Sequence, residues 1–276
     1  MRISLPVEDT SIKVGDRCPW EPPTLHVGLC LLGGEALHPF GLGYEPYPGV
    51  DSPLVEGAYG NPLTAQQINY VISRATYVIH AQNEGEKWGS QGSGVAVGVH
   101  TIATNCHVVM WQSQNHHEDG SSDEKMEGKV PFDRKYGRIT VIAQEGDGTS
   151  WPAEIASSRC EDDIALLHTD ADVNPAKAIR TFEWLQKGDT VFANGAPRGL
   201  GGTFTTGIIA NILKDQDYTP QMARVNLVIS TAPIDSGNSG GPLFDAYGNL
   251  TGLNQASLPG NLFVVIPMAE VMRKRY

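Results

Sequence analysis

Apolar positions in this chain come mostly in short runs, some alternating with polar residues and some unbroken, with turn residues between them at close intervals. From residue 64 onward the pattern predicts one short helix and then a long series of strands. Thr64-Ala65-Gln66-Gln67 has the form of a capping box, and Ile68, Val71 and Ile72 fall on one helical face. Strands are predicted over 76–80, 92–99, 138–143, 151–156, 164–167, 189–194, 203–212, 223–230, 249–254 and 262–266. Pro267 then opens a short terminal helix with Met268, Val271 and Met272 on one side. Many short strands, Gly-rich turns and no alternation of strand with helix predict an all-β barrel or sandwich.

Two stretches do not follow the pattern. Residues 1–63 hold half of the 18 prolines and show no period, which predicts a loop-rich extension followed by a main domain over 64–276. Trp20, Phe40, Tyr44 and Tyr47 favour an extension wrapped on that domain, since a free tail seldom carries so many aromatics. The second stretch, 112–137, contains His116-His117-Glu118-Asp119. Adjacent His and acids can bind a metal, but this tract is polar and broken by Gly and Ser, so a solvated loop is expected.

Composition narrows the class. At 276 residues with 40% hydrophobic and 18% charged positions, the chain has material for a substantial core. A formal net charge of −11 argues against nucleic acid or an anionic membrane as the main partner. The start mixes charge and Pro without the pattern of a secretion signal, and no run approaches a membrane span, so a cytoplasmic protein is expected. Cys18, Cys30, Cys106 and Cys160 lack metal-like spacing and are expected as free buried thiols.

The candidate chemistry centres on Gly237-Asn238-Ser239-Gly240-Gly241-Pro242-Leu243, a serine on a tight glycine turn. A serine hydroxyl is a weak nucleophile until a base takes its proton. The motif also fits the elbow of α/β-hydrolases, but those need an acid and then a His after the Ser. The last histidine here is His168, so that reading fails on chain order. The order His, Asp, Ser is available. His107 lies between a polar Thr-Asn-Cys step and an apolar run, whereas His100 in a turn reads as a surface residue and His80 as a packed or edge one. Asp162 and Asp163 precede a short apolar strand, where an acid can meet a histidine ring.

Taken together the chain resembles a chymotrypsin-fold (trypsin-like) serine protease, closest to the HtrA/Deg branch. The resemblance runs from about 68 to 272 and rests on Gly92-Ser93-Gly94-Val95, Thr104-Asn105-Cys106-His107-Val108-Val109, Asp163-Ile164-Ala165-Leu166-Leu167, Gly195-Ala196-Pro197-Arg198-Gly199-Leu200, Thr206-Gly207-Ile208-Ile209, the Ser239 turn and Val265-Ile266-Pro267. It implies two perpendicular six-stranded β-barrels with the site in the crevice between them. His107 would be the general base, Asp163 its orienting acid and Ser239 the nucleophile of an endopeptidase. The backbone N–H groups of Gly237 and Ser239 would form the oxyanion hole, with Asn238 shaping the loop. The resemblance implies no metal or cofactor.

Pro233, six before the nucleophile, would floor the primary pocket, with Asn254, Leu262 and Phe263 on its walls. The uncharged Asn238 stands where chymotrypsin-like zymogens carry the Asp that pairs with a new amino terminus. Expected partners are a protein or peptide substrate and a regulatory partner acting on residues 1–63, with no nucleic acid or membrane. The PDZ domain common in that branch is not expected in this sequence. A pseudoprotease or interaction module, or an esterase-like hydrolase with the same triad, are the competing readings.

Overall fold

A computed structural model describes residues 55–56, 62–83, 85, 89–111, 134–144, 148–176, 178–199, 201–216 and 225–273. Most of the expected extension, the 116–119 cluster, Cys18 and Cys30 fall outside these residues. The first helix, α1 (Ala65–Ala75), begins as the capping box predicts. Thr64 Oγ1 accepts the Gln67 N–H at 3.3 Å, and Gln67 Oε1 accepts the Thr64 N–H at 2.9 Å. Two of the helix's orphan donors are thereby satisfied, which stabilises it by about 1 kcal/mol. Ile68 and Ile72 are fully buried and Val71 packs beside them.

The strands form two closed barrels. β1 (Val55–Glu56) comes before α1 in sequence. After α1 come β2 (Thr76–Gln82), β3 (Gly89–Gly98), β4 (Thr101–Thr104), α2 (Cys106–Val109), β5 (Met110–Trp111), β6 (Arg134–Lys135), β7 (Arg138–Ala143), β8 (Ser150–Arg159) and β9 (Ile164–His168). Six of these close in the order β2-β3-β4-β9-β8-β7, every pair antiparallel. Ile79, Ile102, Val141 and Leu167 fill this barrel, with Val108 and Val109 from α2.

The second half contains β10 (Ala178–Ile179), β11 (Thr190–Gly195), β12 (Thr203–Gln216), β13 (Val225–Ser230), β14 (Pro242–Asp245), β15 (Leu250–Leu258), β16 (Leu262–Pro267) and α3 (Met268–Val271). The run β15-β14-β11-β12-β13-β16 closes through the β15–β16 pairing into a second six-stranded antiparallel barrel. Beyond the expected barrels, β10 adds to β15 and β1 to β10, both in parallel. These two-residue strands are too short to leave a hydrophobic period in the sequence. The α1 residues Ile68 and Ile72 share one apolar cluster with Val95 and Leu166 of the first barrel and Phe244 and Leu250 of the second. The helix therefore plugs the seam between the barrels.

One expectation is corrected. Cys106 and Cys160 are not free thiols but a disulfide, with Cα atoms 5.2 Å apart across a sequence separation of 54. The pairing depends on α2 meeting the β8–β9 turn, which spacing along the chain does not reveal. In the chain-entropy account, closing a loop of this size stabilises by roughly 4 kcal/mol. No helix among the described residues is long and apolar enough to cross a membrane.

Arg159, at the end of β8, ties that turn to the C-terminal helix. Its Nη2 donates to the carbonyls of Glu270 and Val271, and its Nη1 lies 3.2 Å from the wholly buried Asp162 carboxylate. A cation at a helix C-terminus is favourable in itself, and here it also compensates a buried charge. Arg159→Met should destabilise the fold by about 3–5 kcal/mol, because the buried Asp162 carboxylate would lose the cation 3.2 Å from it. The urea midpoint measures this, and Arg159→Met combined with Asp162→Asn should recover a large part of the loss.

Candidate active site

His107 is the second residue of α2 and Asp163 ends the turn that leads into β9. That turn is held by Asp162 N–H to Arg159 O and Asp163 N–H to Cys160 O, at 3.0 and 3.2 Å. Asp163 sits at φ 57°, in the left-handed region that Asp enters more readily than most residues. The turn presents both of its polar ends to α2. The Asp163 carbonyl accepts the Cys106 N–H at 3.2 Å and Asn105 Nδ2 at 3.0 Å, and its Oδ1 accepts the His107 N–H at 3.0 Å. Imidazole Nδ1 lies 2.8 Å from Oδ2 and 3.1 Å from Oδ1. Since a carboxylate only accepts, the proton of a neutral ring belongs on Nδ1, and Nε2 keeps its lone pair. Asp162, the rival acid, is turned to Arg159 instead.

Burial, the largest influence on the His107 ring, pulls its pKa down, but the charge and hydrogen bond of Asp163 together outweigh it. The ring therefore takes up a proton at a higher pH than an ordinary histidine. Asp163 is almost wholly buried, while about a third of the His107 side chain (34%) is open to solvent.

Ser239 is flanked by two turns that require glycine. Gly240 has φ 79°, and a Cβ there would meet the Ser93 carbonyl, Thr104 Oγ1 and, at 2.9 Å, the Asn105 N–H nitrogen. Gly237 has φ 101°, and a Cβ there would run into the Ala196 carbonyl. The Ser239 carbonyl accepts the Ser93 N–H at 2.8 Å, so the loop is laced onto β3 of the first barrel. From the second barrel, Gly240 N–H donates to Asn254 O at 2.8 Å.

Gln255 joins the two halves of the site. The β15–β16 register shifts between Asn254 and Ala256, so Gln255 is the extra residue of a bulge. Bulges re-aim the residue they carry. Its carbonyl accepts the Ser239 hydroxyl at 3.2 Å, and its Nε2 donates to Asp163 Oδ2 at 3.2 Å. The sequence reading ends this strand at Asn254 and does not find Gln255, because a bulge leaves no mark in an apolar pattern.

The loop before Ser239 is oriented by its carbonyls. Ser236 O accepts the Arg198 N–H at 2.9 Å and Gly237 O accepts Ser93 Oγ at 2.7 Å. Asn238, buried, spends its N–H on Asp235 O at 2.9 Å. Among the described residues, the N–H groups of Gly237 and Ser239 have no protein acceptor. The Arg198–Asp235 ion pair at 2.9 Å lies on the exposed side of this loop, where such a pair adds little.

The remaining candidates are spread around this centre. Pro233 is exposed after β13, its carbonyl accepting Thr205 Oγ1 at 2.8 Å. Asn254 is buried and donates from Nδ2 to Pro242 O at 3.0 Å, which braces the base of the Ser239 turn. Leu262 and Phe263 begin β16 opposite Leu258 and Ser257. His80 is exposed, and His100 stands near Asp172 at 3.7 Å, both away from the pair. No cluster of three or more His, Cys, Asp or Glu able to hold a metal occurs among the described residues.

Residues 92–253 match the family model described as a trypsin-like peptidase domain. The chain is 37% identical over 182 residues to a protein of Arabidopsis thaliana named Protease Do-like 1, chloroplastic, covering 65% of this chain and 34% of the relative. It is 30% identical over 175 residues to a probable periplasmic serine endoprotease DegP-like of Halomonas elongata, covering 63% of this chain and 31% of the relative. The chain thus spans about a third of the length of these curated relatives. Among solved structures, the HtrA-type protease AlgW with tripeptide superposes with a TM-score of 0.59 at 25% identity, over 76% of this chain and 62% of that one. With two closed barrels, the Ser239 turn and more than half of its length matched, this chain belongs to the trypsin-like peptidase family, in its HtrA/Deg branch.

Proposed function

We infer that the protein is a serine endopeptidase that cleaves peptide bonds through an acyl-enzyme, with Ser239 as nucleophile, His107 as general base and Asp163 as its orienting acid. The observation that carries this is the His107–Asp163 pair at 2.8 Å, linked through one residue, Gln255, to the Ser239 hydroxyl. Rotation of Ser239 Oγ off the Gln255 carbonyl gives its proton to His107 Nε2 as the oxygen attacks the substrate carbonyl. Asp163 stabilises the imidazolium, which then protonates the leaving amine. The Gly237 and Ser239 N–H groups receive the oxyanion, each donor worth on the order of 3 kcal/mol of barrier. Water then hydrolyses the acyl-enzyme.

Several relatives are named proteases, and the AlgW structure holds a peptide, which supports a protein or peptide substrate. The expected cytoplasmic placement has no support among relatives named periplasmic or chloroplastic, and a disulfide beside the site suits an oxidising compartment. Asn238 carries no charge, so no cleavage that frees a new amino terminus is required.

Three outcomes are expected. Ser239→Ala and His107→Ala should each lower kcat by roughly five to six orders of magnitude without unfolding the chain, and Asp163→Asn by about four through the wrong histidine tautomer. Labelling of Ser239 by a fluorophosphonate separates a catalyst from a pseudoprotease, and peptide against ester turnover separates a protease from an esterase.

The second outcome concerns pH. Only the neutral ring can accept the Ser239 proton, so activity falls as pH drops through the raised His107 pKa. The acid limb of kcat/KM should lie above the ordinary histidine value of about 6.5. The residual activity of Asp163→Asn should show that limb displaced to lower pH.

The third concerns specificity. With uncharged Pro233 at the floor and Leu262 and Phe263 on the walls, the side chain before the cut bond should be Val, Ala, Ile or Leu. Selectivity should be modest, about 1–3 kcal/mol per methylene. Cleavage sites in a proteome digest test this, and a profile dominated by Lys or Arg would sink it.

A further inference from the structure

The disulfide is the one covalent crosslink among the described residues, and it falls on the two segments that carry the base and the acid. Cys106 immediately precedes His107 and is the first residue of α2, while Cys160 opens the turn that ends at Asp163. Beside them the β4–β9 ladder runs up to Thr104 and Ala165, and the hydrogen bonds of α2 itself to the acid's turn converge on Asp163: its carbonyl holds Cys106 N–H and Asn105 Nδ2, and its carboxylate holds the His107 N–H and ring. Bonds that share one residue shift together when that residue's turn relaxes. Asp163 sits at φ 57°, a left-handed conformation uncommon for non-glycine residues as a whole, though Asp adopts it more readily than most.

Accessibility of the two sulfurs differs. Cys106 is fully buried, whereas Cys160 is partly exposed and its sulfur lies 3.4 Å from Met110 Sδ. An incoming thiolate therefore reaches Cys160 first. Bonded sulfurs sit about 2 Å apart, while two separate thiols need roughly 3.5 Å. Opening the bond removes the covalent tie between α2 and the acid's turn, and a misplacement of about 1 Å in such a pair can cost 100-fold in rate.

We propose that the Cys106–Cys160 disulfide is a positioning bond for the His107–Asp163 pair, and that thiol–disulfide exchange at Cys160 switches the site; this rests on the proteolytic reading above. The step is a two-electron reduction by a dithiol. Its thiolate attacks Cys160 Sγ, the S–S bond breaks, and Cys106 Sγ leaves with the electron pair and takes a proton. The second thiol of the reductant then displaces Cys160, which also ends as a thiol, and the reductant leaves as a disulfide. The oxidised protein is the active form, so the site is assembled only where disulfides form.

The test compares the full chain after air oxidation and after dithiothreitol, with alkylation and mass mapping to count the bonds. On casein peptides, reduction should lower kcat 10- to 100-fold with KM unchanged, and reoxidation should restore it. Cys106→Ser/Cys160→Ser should stay at the reduced level and ignore the reductant, whereas Cys18→Ser/Cys30→Ser should respond like the unaltered chain.

A second readout needs no turnover: the imidazole of His107 titrated by NMR in the Ser239→Ala chain. Asp163 is the charged group facing this ring, Asp162 beside it being paired with Arg159 of β8 and Gln255 of β15 being neutral. Reduction should lower the His107 pKa. Unchanged kcat with an unchanged His107 titration would overturn the proposal and leave the bond a purely stabilising one, as would free Cys106 and Cys160 thiols in the oxidised chain. A His107 titration that responds in a chain without turnover would sink the proteolytic reading and leave the positioning bond standing.

Discussion

A carboxylate shut away from water stays charged only if donors surround it, and at Asp163 that requirement organises the centre of the molecule. Its oxygens take the His107 backbone, the His107 ring and the Gln255 amide, and its main-chain carbonyl takes two donors more. Those donors come from α2, from the segment before it and from a bulge in the second barrel. Satisfying one buried charge thus fixes the relative placement of both barrels around His107. The acid next to it, Asp162, faces a separate cation, Arg159, at 3.2 Å.

The barrels meet at β3. Ser93 alone makes three of the joining bonds: its N–H goes to Ser239 O, its hydroxyl to Gly237 O, and that same hydroxyl accepts the Ala196 N–H. A residue that the apolar pattern marks only as part of a Gly-kinked strand therefore sets the loop on which Ser239 stands. The apolar plug of α1 seals the other side of the seam.

Much of this was legible beforehand. The all-β class, α1 with its cap and the terminal helix followed from local chemistry, and the strand centres from runs such as Ile164-Ala165-Leu166-Leu167. The chain order of His107, Asp163 and Ser239 excluded the α/β-hydrolase reading without any structure. What escaped was everything created by two distant segments meeting. The Cys106–Cys160 bond, the parallel pairings of β1 and β10 and the aim of Gln255 are properties of the assembled barrels. The β15 bulge also shows why strand ends were misjudged, since the strand continues to Leu258 past a residue that breaks the alternation.

The seam under Ser239 is built of main chain against main chain, with Gly240 pressed onto the Ser93 carbonyl and no room for another atom. A distance set by backbone contact cannot be tuned by exchanging side chains. Drift in such a protein is therefore channelled: the backbone seam under Ser239 has almost no mutational freedom, while exposed side chains elsewhere can vary at little cost to it. Seam and surface are thereby uncoupled, and descendants of this chain could change their exposed side chains long before they change the setting of Ser239.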